Sequence, residues 1–67
     1  MAPRERVAVR VKRIREQRGM TQEQLAEKAG ISRTYLARLE TARHDPTLSM
    51  LEKIAKALRV DVAKLLK

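Results

Sequence analysis

Sixty-seven residues without a cysteine read as one domain with one small core, and exclude both disulfide staples and thiolate metal sites. The net charge of +8 is unevenly placed, at +5 over residues 1–20, zero over 21–41 and +3 over 42–67, which suits a polyanionic partner such as nucleic acid. No apolar run approaches a membrane span or a signal-peptide core, so a cytoplasmic chain is expected.

Met1-Ala2-Pro3 is a loose start, with Pro3 tolerated at or just before a first helical turn. From about Arg4 to Arg18 the pattern is helical. Val7, Val11 and Ile14 share one stripe, and Arg6, Arg10, Arg13 and Gln17 point elsewhere. A basic helix of this kind could lie on an anionic membrane, but the Trp, Phe or Leu that such helices bring are missing. Packing a thin apolar face on a small core fits better. Gly19 ends the helix.

Thr21 to Thr41 reads as two short helices around a tight turn. Thr21 with Gln24 forms a capping-box pattern, Gly30 supplies a left-handed exit, and Ser32 caps the second helix. Leu25, Ala26 and Ala29 face inward from the first helix, Leu36 and Leu39 from the second, and Ile31 plugs the gap between them. Tyr35, the sole aromatic residue, is spaced away from Leu36 and Leu39 and is expected on the outer side.

Arg43-His44-Asp45-Pro46 is a connection, because Pro46 forbids a helix through it, and Thr47 caps the next helix. His44 has no partner in sequence and is expected to be solvated or next to a phosphate. Leu48, Leu51, Ile54, Ala55 and Leu58 line the face of this fourth helix, outside which Glu52 and Lys56 form an i,i+4 pair. After a break at Arg59-Val60, Asp61 can cap one or two more turns from Val62 to Leu66. Five short helices and no strand signal predict an all-α, compact bundle over residues 1–67.

From Val11 to Leu66 the chain resembles the Cro/repressor-type (Xre family) helix-turn-helix DNA-binding domains. The markers are Thr21-Gln22, Leu25-Ala26, Gly30, Ser32, Leu39-Glu40, Pro46, and Ile54-Ala55 with Leu58. The resemblance implies a recognition helix over about Arg33 to Glu40, lying in the major groove. Arg33, Thr34 and Arg38 would reach base edges, and Tyr35 and Ala37 would lie near a phosphate or a thymine methyl. It implies backbone contacts from Gln22, Ser32, Thr41 and Arg43, and a structural bridge between Arg15 and Glu40. Arg4 and Arg6 could serve as a short basic arm. Two sites depart from the family's pattern. Thr41-Ala42 stands where Asn-Gly is common, and Arg59 where the fourth helix often ends in Gly, so both bear on loop geometry.

The function implied is a sequence-specific regulator of double-stranded DNA, in the usual case a repressor, acting as a homodimer on a palindromic operator. Val62, Leu65 and Leu66 offer apolar surface for the second copy, though Val62 or Leu65 could be spent on the core. A protein-interaction module, such as an antitoxin that binds a toxin, is the alternative, and it generally carries an additional tail. One histidine, no glycine-rich phosphate loop and no carboxylate cluster give catalysis no support. No cofactor, metal or small-molecule ligand is implied.

Overall fold

Backbone chemistry local to each boundary decides where the helices begin and end. The computed structural model describes residues 3–67, which form α1 (Pro3–Gln17), α2 (Gln22–Ala29), α3 (Arg33–Glu40), α4 (Leu48–Leu58) and α5 (Ala63–Leu66). Met1 and Ala2, part of the expected loose start, lie outside the described residues. The Gln24 N–H donates to Thr21 Oγ1 at 3.0 Å and the Thr21 N–H to Gln24 Oε1 at 2.9 Å, which closes the capping box of α2. Ser32 and Thr47 accept from the N–H groups of Tyr35 and Met50, and Asp61 accepts from that of Ala63. Gly30 leaves α2 at φ +70°, a left-handed conformation with no Cβ to clash.

Two such turns are made without glycine. Ala42 after α3 and Arg59 after α4 both sit at φ +60°. That conformation costs an ordinary L-residue about 1–2 kcal/mol. Ala42→Gly is therefore expected to stabilise the fold by roughly 0.5–1 kcal/mol, once the larger unfolded-state freedom of glycine is subtracted. A thermal melt should move up by about 2–8 °C. A lower melting temperature would mean that the turn stores no strain.

α1 lies against α3, α4 and α5, while α2 packs on α3 and α4. One buried cluster joins them: Val7 and Val11 of α1, Leu25, Ala26 and Ala29 of α2, Leu36 and Leu39 of α3, and Leu51, Ile54, Ala55 and Leu58 of α4. Ile14 and Ile31 close its edge half-buried. Arg18 Nε donates to the Leu58 carbonyl at 3.1 Å and so satisfies an acceptor left over at the end of α4. No helix among the described residues is long and apolar enough to cross a membrane.

Several sequence expectations need correction. Leu65 is fully buried (0% exposed) and belongs to the core, so it is not available to a second copy; α5 is too short to have a periodicity that would reveal this. Val62 is half-buried against the same core, and Leu66 remains exposed. Leu48 is 59% exposed, because it occupies the first turn of α4 at the margin of the apolar stripe. The ion pairs within 4 Å among the described residues are Arg4–Asp45, Arg15–Glu40 and Arg33–Glu23. The Glu52–Lys56 pair is thus not formed, in keeping with the small free energy of solvated pairs.

Candidate nucleic-acid interface

Burying Leu36 and Leu39 turns the opposite side of α3 outward. Arg33, Thr34 and Arg38 are exposed, and Thr34 and Arg38, four residues apart, lie on the side opposite the core. Ala37 is half-buried beside them. Arg33 has only a loose partner, Glu23 at 4.0 Å with both side chains mostly solvated, a pair that does little to hold it. Two exposed arginines and a threonine on this helix supply donors of the kind that guanine O6 and N7 accept, and the major groove admits one helix of this width.

A buried carboxylate sets the orientation of that helix. Glu40, the last residue of α3, has a side chain only 2% exposed. Arg15 of α1 donates to it twice, from Nε to Oε2 at 2.8 Å and from Nη2 to Oε1 at 3.0 Å. The remaining guanidinium nitrogen, Nη1, donates to the Met20 carbonyl at 2.7 Å. This is fork-to-fork geometry, the strong form of the pair. Accepting those bonds, Glu40 raises the Arg15 pKa above its ordinary value, against the opposing pull of burial. Gln22 Nε2 donates to Glu40 Oε1 as well, at 3.0 Å. One carboxylate therefore ties α1, the start of α2 and the end of α3 together. The Gln22 link was not legible in the sequence, since nothing marks two residues 18 apart as neighbours.

The two chain segments that flank α3 differ in the hydrogen-bond donors they offer an anion. At the start of α2 the N–H groups of Gln22 and Glu23 have no hydrogen-bond partner among the described residues, so the helix end presents free donors and a partial positive charge. Past α3 the situation is reversed. The N–H groups of Thr41, Ala42 and Arg43 are all used on carbonyls of α3, from Ala37 to Leu39. The Thr41 hydroxyl donates to the Arg38 carbonyl at 3.0 Å. An anion there has to be met by the exposed Arg43 side chain. Ser32 accepts the Tyr35 N–H through Oγ and keeps its hydroxyl proton for an outside acceptor.

Tyr35 is not simply on the outside. It is half-buried, and its ring stacks on that of His44 at 5.5 Å between centroids and 10° between planes. His44, expected to be solvated or near a phosphate, is thus a packing partner that clamps the loop after α3 onto α3 itself. Arg4, one of the two arginines considered as an arm, lies 3.9 Å from Asp45 of that loop. Arg6 instead donates to the Leu66 carbonyl at 3.3 Å. A lone aromatic and a lone histidine on either side of one helix end was the available signal for the stack. No group of three His, Cys, Asp or Glu that could hold a metal is found among the described residues.

Two short helices joined by the turn at Gly30, the second locked through Glu40 to α1 and to the start of the first, define a helix-turn-helix module. Residues 11–65 match the family model described as Helix-turn-helix, and the chain belongs to this family of DNA-binding transcriptional regulators. It is 53% identical over 57 residues to the immunity repressor protein of Bacillus phage phi105, a match covering 85% of this chain and 40% of that protein. The chain thus spans well under half of that relative's length. Among solved structures, the hypothetical transcription factor NHTF from Neisseria superposes with a TM-score of 0.95 at 36% identity, over 98% of this chain and 76% of that one. The restriction-modification controller protein C.AhdI from Aeromonas hydrophila gives 0.92 at 28% identity, over 97% and 98%.

Proposed function

We propose that the chain is a cytoplasmic, sequence-specific repressor, in which residues 1–67 act as a single DNA-binding domain without catalytic activity and pair as a homodimer on a palindromic operator. The observation that carries this is α3 itself, with Arg33, Thr34 and Arg38 exposed on a helix whose end is fixed by the Arg15–Glu40–Gln22 bonds. Bases are read by Arg33, Thr34 and Arg38, with Tyr35 and Ala37 alongside. Backbone phosphates are held by Gln22, Ser32 and Arg43, while Thr41, expected among them, has both its N–H and its hydroxyl on carbonyls of α3 and is left to shape the loop. With Leu65 in the core, Val62 and Leu66 are the C-terminal residues left for the second copy.

Selection from random duplex DNA tests this in one experiment. The expected product is a symmetric site whose half-sites lie about one helical turn, roughly 34 Å, apart. Enrichment of a single asymmetric half-site would remove the homodimer from the proposal. No enrichment at all would remove sequence-specific reading.

A further inference from the structure

A groove of about 560 Å³ opens between the C-terminal ends of α2 and α4. Its polar rim is Lys28, Lys53, Lys56 and Arg59, its floor includes Ala29 and Ala57, and no carboxylate lines it. The ion pairs among the described residues all lie elsewhere, so the four cations are unpaired. The fold itself accounts for only part of this charge. Lys28 and Lys56 stand in the last turns of their helices, where carbonyl ends favour a cation. Lys53 lies a turn earlier in α4, and Lys53, Lys56 and Arg59 are spaced i,i+3 along the chain, where like charges repel. Arg59 also holds a left-handed backbone that glycine would adopt at lower cost. An unpaired and mutually repulsive set of cations gains most when an external anion enters.

The geometry selects the kind of anion. The N–H groups of Gly30 and Arg59, at the two helix ends, are used on carbonyls of their own helices, so no backbone donors converge on a compact oxyanion. The cations stand on long stems around an open groove, which suits charges spread along a chain. Small apolar residues in the floor suit the methylenes of glutamate side chains. Position separates only part of the rim from the operator duplex. The 11 residues of α4 span about 16 Å and set Arg59 that far from the end of α4 that follows the Arg43 loop, whereas Lys28 stands four residues before Ser32, so the duplex is the competing occupant that the duplex titrations below separate. We propose that the groove rimmed by Lys28, Lys53, Lys56 and Arg59 docks an acidic segment of a partner protein.

The test uses the whole chain and a fluorescein-labelled octaglutamate, with octaglutamine as the neutral control and the selected duplex as the second ligand. By anisotropy at about 0.15 M salt, octaglutamate should bind at least about tenfold more tightly than octaglutamine. Lys53→Glu should weaken octaglutamate by about tenfold, and Lys64→Glu on α5, an equal change in net charge, by clearly less. Arg59→Gly should also weaken it while melting no lower than the parent, because glycine relieves the positive φ. Duplex affinity of Lys53→Glu should fall no further than that of Lys64→Glu. Equal losses of octaglutamate in the two charge reversals, or equal binding of both peptides, would overturn the proposal. So would a selective loss of duplex by Lys53→Glu, which would give the groove to DNA. A parent chain that binds octaglutamate but no duplex would overturn the reading of α3 and leave the groove assigned.

Discussion

Glu40→Ala is expected to lower the unfolding free energy by about 3–5 kcal/mol, the cost of leaving a buried charge without its partner. Arg15 is 8% exposed, so most of its side chain lies out of water where α1 meets α3. Its bond to the Met20 carbonyl survives the substitution but carries no negative charge. A domain of this length has about 3–10 kcal/mol in total, so the substitution should remove a large share of the stability. The urea midpoint reads this directly. Replacing both partners by apolar residues, Arg15→Met with Glu40→Leu, should recover most of the loss, because no charge is then stranded. The recovery separates a desolvation cost from a net stabilising pair. A midpoint for Glu40→Ala within about 0.5 kcal/mol of the parent would show that the bridge is not structural.

The range of each signal decides how much of the structure could be read from the chain. The caps of α2, α3 and α4 involve residues three apart, so Thr21, Ser32 and Thr47 could be placed from the sequence and are found capping. The inward faces of α2 and α3 are likewise set by i,i+3 and i,i+4 spacing. Arg15 and Glu40 are 25 residues apart. Only the family resemblance brought them together, and nothing pointed to Gln22 as the third member. Leu65, offered to a second copy with the core left open as its other place, could not be assigned for a related reason. Whether a four-residue helix turns an apolar side chain inward depends on where α1 lies, which is a tertiary fact. The exposed face of α3 was legible, whereas the Tyr35–His44 stack depends on a loop path through the positive φ of Ala42 that no local pattern records.

Arg38→Ala and Arg43→Ala should differ in kind. Both side chains are exposed, and neither has an ion partner within 4 Å among the described residues, so neither loss should disturb the fold. Arg38 projects from the outer face of α3, and in the proposed reading it makes a bidentate bond to one guanine. Its removal should weaken the selected site by about 1–3 kcal/mol per half-site and relax preference at one base pair. Arg43 stands past the helix end, where the neighbouring N–H groups are already bonded and only its charge can meet the backbone. Arg43→Ala should weaken selected and random duplexes alike and reduce the slope of log K against log salt by about one per subunit. Titrations of both variants against both duplexes at several salt concentrations distinguish the two. If Arg38→Ala weakened both duplexes equally and flattened the salt slope, Arg38 would be a phosphate contact, and base reading would have to pass to Arg33 and Thr34 at the other end of the helix.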